Sequence, residues 1–202
     1  MTIIIILITA IISLISFNNA DLFNRLKFNA WLIHERKQSW RFLSYALVHG
    51  GWMHLFINMF VLYSFGTNIE ESFNYLFGIP QSYIYYGLLY IGGVLFATLF
   101  DYGKHKDDPY YDAVGASGAV AAVLFASILI SPTSSLFIFP IPFPVPAYIF
   151  GVLYLIYSVY MGKQGKDNIG HYAHFFGAVF GIVFTLLLKP SLAENFLHQL
   201  LN

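Results

Sequence analysis

Two polar residues in apolar stretches of this chain, Ser117 and His174, have side chains that can do chemistry together. Ser117 lies within Gly115-Ala116-Ser117-Gly118-Ala119, at the start of a long apolar run. A hydroxyl buried there is costly unless it is hydrogen bonded, so we expect a partner from elsewhere in the chain. A serine becomes a nucleophile when a base takes its proton, and a neutral imidazole suits that task. The two residues predict a Ser–His dyad for nucleophilic catalysis.

Attack on a peptide carbonyl creates an oxyanion, which hydrogen-bond donors must stabilise. The backbone N–H of Ser117 is expected to be free because it lies near a helix N-terminus. His54 and Asn58 stand four residues apart, so they share one helix face and can offer a ring N–H and an amide N–H. The predicted helices that carry Ser117 and His174 contain no acidic residue, so we expect a dyad rather than a triad.

Each of these residues also has a purely structural interpretation. A serine in an apolar helix commonly hydrogen-bonds to its own helix, and polar side chains inside a membrane commonly join neighbouring helices. We prefer the structural interpretation for His49 and His171. A metal site formed by His54, His171 and His174 is a further hypothesis, because His-x-x-His places two imidazoles near one helix face. No H-E-x-x-H motif and no carboxylate accompanies them in the apolar stretches, so neither a metal nor another cofactor is predicted.

The composition indicates a membrane protein that crosses the bilayer several times. Of the 202 residues, 58% are hydrophobic and only 10% are charged, whereas soluble domains carry about 25% charged residues. The apolar residues form long blocks rather than a helical stripe. The net charge of zero argues against nucleic acid as a partner. Cysteine is absent from the sequence, which excludes disulfides, thiolate catalysis and cysteine-ligated metals.

The apolar blocks predict an all-α fold in which a single domain forms a bundle of six transmembrane helices. The spans are expected at about 2–17, 52–67, 82–100, 115–130, 147–161 and 171–188. The first block lacks the basic start and small-residue cleavage site of a signal peptide, so we interpret it as a retained span. Residues 18–51 mix charged and aromatic side chains, which suits a large first loop at the membrane interface. Polar loops are expected at 101–112 and 162–170, a proline-rich turn at 131–146 and an amphipathic tail at 192–201.

The second, fourth and sixth spans run in the same direction, so residues near their starts lie at similar depth in the membrane. Ionisable groups inside spans are costly and are functional candidates by default. The candidates at these starts are His54, Ser117, His171 and His174. Gly177 and Gly181 form a G-x-x-x-G face, and Gly115 and Gly118 flank Ser117, so the fourth and sixth helices can approach closely. The sequence therefore predicts one shared site.

At these positions the sequence resembles the rhomboid family of intramembrane serine proteases. The matching motifs occur in order over most of the chain: Trp40-Arg41, His49, His54-x-x-x-Asn58, Glu70, Gly115-Ala116-Ser117-Gly118, and Ala173-His174-Phe175-Phe176-Gly177 through Gly181. The resemblance implies a six-helix bundle with a membrane-embedded first loop. It implies that Ser117 is the nucleophile, that His174 is the base, and that His54 and Asn58 belong to the oxyanion hole.

The resemblance also implies what the protein acts on. It implies cleavage of transmembrane protein substrates near the membrane surface, with the fifth loop and fifth helix as cap and gate. The implied location is an integral, multi-pass position in the cell (inner) membrane, with substrates and lipid as the partners and the oligomeric state left open. Structural support is expected from the other singled-out residues: Trp40, Arg41, His49, Glu70, Gly115, Gly118, His171, Gly177 and Gly181.

Two features depart from the family pattern. Some members carry an aromatic residue four positions after the serine, beneath the imidazole, where this chain has Ala121. Either another side chain supports His174, or the imidazole is held less firmly. In addition, nine of the ten Lys and Arg residues fall in the loops that the family places outside, against the positive-inside rule. The alternative function is a non-catalytic rhomboid-like protein that binds membrane clients; such relatives lack the serine or the histidine, and this chain has both.

Overall fold

Ten α-helices account for most of the chain in the computed structural model, which describes residues 1–138, 142–165, 167 and 169–201. The helices are α1 Thr2–Phe17, α2 Ala20–Leu26, α3 Ala30–Arg36, α4 Arg41–Ser44, α5 Trp52–Phe77, α6 Gln81–His105, α7 Ser117–Ile130, α8 Ala147–Gln164, α9 His171–Leu188 and α10 Leu192–Leu201. A short 3-10 helix, Tyr45–Leu47, follows α4. Residues 18–51, expected as one interfacial loop, therefore fold into several short helices.

Two small antiparallel strand pairs qualify the all-α prediction. Strand β1 (Phe28–Asn29) pairs with β2 (Asp112–Ala113), so that Phe28 lies opposite Ala113. Strand β3 (Ser135–Leu136) pairs with β4 (Val145–Pro146) inside the predicted proline-rich turn. Each strand has only two residues, so these pairs fasten loops together without forming a layer of the fold.

By length and composition, two of the described helices are able to cross a membrane: α6 and α9. A third span results if the helical segment Arg41–Leu47 and α5 are counted together, although they are bent by 97° at the break between them. Helices α1 and α7 are apolar but shorter. The six-span bundle expected from the sequence stays a prediction.

Several helix boundaries differ from those expected. Helix α5 continues past Thr67 to Phe77, and α6 continues past Phe100 to His105, so the predicted polar loop at 101–112 begins as helix. A polar residue ends an apolar block in the sequence, but a helical backbone continues through polar residues whose side chains find partners. Glu70 is one of these, because its carboxylate accepts a hydrogen bond from the Thr2 backbone N–H at 2.8 Å.

Helix α7 lies at the centre of the fold and packs against α5, α6, α8, α9 and α10. All of its residues from Gly118 to Ala126 are buried, as are Ile128 and Leu129. A helix that is apolar on every side is stable only where protein or lipid surrounds it. The start of α7 is therefore fixed in three dimensions by its neighbours rather than by its own sequence.

Glycines let α9 approach α7 until the two backbones touch. A Cβ atom added at Gly177 would lie 2.1 Å from the Gly118 carbonyl oxygen, and one at Gly181 would lie 2.1 Å from the Ala122 carbonyl oxygen. On α7, a Cβ at Gly118 would lie 2.3 Å from the Ala97 Cβ of α6. The contact of Gly177 and Gly181 with the α7 backbone is called the α7–α9 seam below. It leaves no room for even a methyl group.

The seam predicts that Gly181→Ala destabilises the protein, since the added methyl must push α9 away from α7. Overpacking of this kind costs about 1–3 kcal/mol. Thermal unfolding in one detergent measures it, with Gly103→Ala as the matched control, because a Cβ at Gly103 of α6 meets nothing within 4 Å. Equal unfolding temperatures for the two variants would contradict the seam.

Candidate functional site

The structure brings the side chains of Ser117 and His174 into direct contact. The Ser117 Oγ lies 2.8 Å from the His174 Nε2, although the residues are 57 positions apart in sequence. Both side chains are only partly buried, so the pair lies at an accessible edge of the helix packing. When Nε2 is the unprotonated ring nitrogen, the hydroxyl donates to it, which is the geometry for proton transfer from an alcohol to a base.

The pair meets because both residues stand in the first turns of helices joined by the seam. Ser117 is the first residue of α7, and His174 follows three residues after the start of α9. Just before α7, Gly115 has a φ of +108°, a conformation that favours glycine. This turn directs the chain into α7, where the Ser117 N–H is among the first-turn groups without an acceptor inside the helix.

His49 holds the turn that precedes Ser117. Its ring is fully buried, and its Nε2 accepts a hydrogen bond from the Ala116 N–H at 3.4 Å. The proton of a neutral ring then sits on Nδ1, which donates to the Ser13 Oγ at 2.9 Å, and that hydroxyl donates to the Leu47 carbonyl at 2.8 Å. Every donor in this chain of bonds has an acceptor. His49 therefore ties α1 and the segment before α5 to the start of α7.

His54 packs directly on the same turn, while Asn58 bonds within α5. A Cβ at Gly115 would lie 2.7 Å from the His54 Nε2, so the imidazole covers that glycine. The His54 Nδ1 accepts from the Gly50 N–H at 3.3 Å, which leaves the proton of a neutral ring on Nε2 as a free donor. The Asn58 amide donates one hydrogen to the His54 carbonyl at 3.0 Å and keeps its second N–H.

Three other residues singled out in the sequence, Trp40, Arg41 and Glu70, lie away from the Ser117–His174 pair. Arg41 is buried, and its guanidinium donates to the carbonyl oxygens of Asn24 and Lys27 at 2.9 and 2.6 Å. Trp40 precedes α4 and is 46% exposed. Glu70 pairs with the terminal ammonium of Met1 and accepts from the Thr2 N–H. These contacts fasten the first loop and α1 to the bundle.

His171 is buried at the start of α9, where it contacts a residue that the sequence analysis did not single out. Its Nε2 lies 3.0 and 3.1 Å from the two carboxylate oxygens of Asp167 in the preceding loop. The ring also lies edge-on to Tyr157, at 5.6 Å between centroids, and to His174, at 6.2 Å. Asp167 lies outside the apolar spans, so only the Asp-x-x-x-His spacing across the loop boundary marks the pair in the sequence.

Tyr154 of α8 is a second residue that sequence reasoning missed. Its ring lies 6.2 Å from the His174 imidazole between centroids, with 29° between the planes. No spacing rule marks Tyr154 among the 15 tyrosines, because the contact comes from a different helix.

The metal hypothesis for His54, His171 and His174 finds no support in the structure. Among the residues with described placement, no three His, Asp or Glu side chains cluster as ligands.

The Asp167–His171 pair predicts a pH dependence near the start of α9. The hydrogen bond from His171 holds the pKa of the Asp167 carboxyl below its ordinary value of 3.8. Because the folded-state pKa is lowered, the pair stabilises the fold above that value, and its contribution is lost as the pH falls through the lowered pKa. In an NMR titration of the Asp167 carboxyl carbon, His171→Asn should move the midpoint upward. An unchanged midpoint would rule out the pairing.

Comparison with known proteins identifies the family of this chain. A family model described as "Rhomboid domain" matches residues 36–191. In Arabidopsis thaliana, RHOMBOID-like protein 4 is 30% identical over 159 residues, covering 76% of this chain and 35% of the relative. RHOMBOID-like protein 5 is 30% identical over 158 residues, covering 78% and 47%. RHOMBOID-like protein 12, mitochondrial, is 29% identical over 140 residues, covering 62% and 39%. The chain thus spans less than half the length of these curated relatives, and it belongs to the rhomboid family.

Proposed function

We propose that this chain is an intramembrane serine endopeptidase that cleaves transmembrane proteins near the membrane surface, with Ser117 as nucleophile and His174 as base. The observation that carries the proposal is the 2.8 Å contact between Ser117 Oγ and His174 Nε2. Membership of the rhomboid family supports the same chemistry. Among the described residues no carboxylate hydrogen-bonds to His174, and Asp167, in the loop before α9, bonds to His171 instead, so the proposed site is a dyad.

The proposed reaction begins when the His174 Nε2 takes the Ser117 proton while Oγ attacks the carbonyl carbon of the scissile peptide bond. The Ser117 N–H, the His54 Nε2–H and the second Asn58 amide N–H are the donors for the resulting oxyanion. As the C–N bond breaks, His174 gives its proton to the departing amine, which leaves an ester on Ser117. A water molecule then repeats the attack with the same base and frees the serine.

We place the chain in a bilayer, in the cell (inner) membrane, with six spans formed by α1, α5, α6, α7, α8 and α9. Except on α7, large apolar side chains stand on the outer faces of these helices, among them Ile4, Phe56 and Leu153, which are 61%, 64% and 59% exposed. Such surface suits acyl chains and is a liability in water. Transmembrane proteins and lipid are accordingly the proposed partners.

The short length of α7 supports a site beneath the headgroups. Its 14 residues rise about 21 Å, against about 30 Å for the hydrocarbon core. Because the helix is surrounded by protein, it need not match the bilayer thickness. Its first residue, Ser117, then lies within the membrane depth, where the adjoining helices can shelter a peptide bond from bulk water.

A cleavage assay against single-span proteins in vesicles tests the proposal. Ser117→Ala and His174→Ala should each lower kcat by about 10⁴-fold or more, since neither residue works without the other. Ser64→Ala is the matched control, because that hydroxyl bonds only to the Phe60 carbonyl of its own helix at 2.9 Å. Normal cleavage by folded Ser117→Ala would end the proposal. Failure of a fluorophosphonate to label wild-type Ser117 would favour a client-binding protein.

The oxyanion donors predict a separate effect on rate. His54→Ala should lower kcat by about 10²–10³-fold with little change in KM, since its ring N–H is used only when the oxyanion forms. His34→Ala in α3 is the control, because its ring approaches Tyr102 at 3.4 Å rather than the site. Thermal unfolding of each variant checks the fold. A His54→Ala enzyme with wild-type kcat would exclude this role.

A further inference from the structure

The imidazole of His174 is supported from α8. It lies beside the Tyr154 ring, with centroids 6.2 Å apart and planes inclined by 29°. This separation lies within the range at which aromatic rings attract one another. The hydrogen bond to Ser117 fixes one ring nitrogen but leaves the ring free to rotate about that bond. Packing against neighbouring rings limits that rotation, and two rings lie 6.2 Å from the imidazole between centroids, those of Tyr154 and His171.

The residue one turn after Ser117, Ala121, carries no ring, so the aromatic neighbour of His174 comes from α8. Ala121 is buried and has only a methyl side chain, and Tyr154 packs against the apolar cluster that contains it. Phe125, one turn further along α7, lies 5.5 Å from the Tyr154 ring between centroids, and Phe150 of α8 lies 5.7 Å from it. Two aromatic contacts therefore hold the Tyr154 ring in place beside His174.

We propose that Tyr154 is the positioning residue for the His174 base, so that the orientation of the imidazole depends on the docking of α8. The inference rests on the proposed protease function. Helix α8 is the more loosely held partner: its buried residues are Ala147, Gly151 and Ser158, whereas α7 is buried almost throughout. A displacement of α8 would take the Tyr154 ring away from His174 while leaving the α7–α9 seam intact.

The positioning role belongs to the ring of Tyr154 and not to its hydroxyl. Two substitutions at Tyr154 therefore separate the two groups. Tyr154→Leu keeps an apolar side chain and removes the ring, whereas Tyr154→Phe keeps the ring. Tyr160→Leu is the matched control. It replaces a tyrosine by leucine on the outer face of α8, where Tyr160 is 59% exposed. Should Tyr154→Leu fail to fold, Tyr154→Met replaces it with the same expectations.

The experiment measures kcat and KM for a single-span substrate, and the rate at which a fluorophosphonate labels Ser117. Tyr154→Leu should lower kcat and the labelling rate together by about tenfold to a hundredfold, with KM nearly unchanged, because misplacing a catalytic group by about 1 Å costs this much. Tyr154→Phe and Tyr160→Leu should match the wild type. The small probe needs no passage past α8, so its rate separates positioning of the base from substrate entry.

Three results would overturn the role of Tyr154: wild-type kcat in Tyr154→Leu, an equal loss in Tyr154→Phe, or slower cleavage with unchanged labelling. Each requires that the wild type cleaves and that Ser117→Ala does not, so these results leave the protease function standing. A wild type that neither cleaves nor becomes labelled contradicts the protease function itself.

Discussion

The close contact between α7 and α9 is the constraint on which the site depends. At Gly177 and Gly181 the backbone of α9 touches the carbonyl oxygens of α7, so the separation of the two helices is set by main-chain atoms. Main-chain contact fixes the distance and the rotation of the helices more tightly than flexible side chains do. The first turns of both helices are then in register, and a hydroxyl and an imidazole 57 residues apart come within 2.8 Å.

A second set of interactions fixes the turn before α7, which the seam does not control. The turn before α7 is held by hydrogen bonds from the Gly115 N–H to the Tyr45 carbonyl and from the Ala116 N–H to His49. Both acceptors come from the segment between α4 and α5, so that part of the chain aims the start of α7. Packing thus positions the helices, directional hydrogen bonds position the turn, and the Tyr154 ring of α8 lies beside the His174 imidazole.

The core of the site could be predicted from the sequence because polar residues are few in its apolar stretches. Ser117 and His174 stood out by chemical type, and the glycines beside them indicated a close helix contact. Tyr154 and Asp167 could not be found in this way. Tyr154 is one aromatic residue among many, and its role depends on which rotation of α8 faces α9. Asp167 lies in a loop whose path a periodicity argument does not give. Likewise, the extension of α5 to Phe77 depends on tertiary partners of its polar end, such as that of Glu70 with Thr2.

The central claim is that α7 and α9 hold a nucleophilic serine against its base. The most direct test is mass spectrometry after treatment with an amino-substituted chloroisocoumarin, which acylates an activated serine and then alkylates a histidine within reach. We predict a single adduct that joins the peptide containing Ser117 to the peptide containing His174. A folded wild-type protein whose Ser117 forms no adduct, or whose adduct joins Ser117 to a histidine outside the site, would contradict the account.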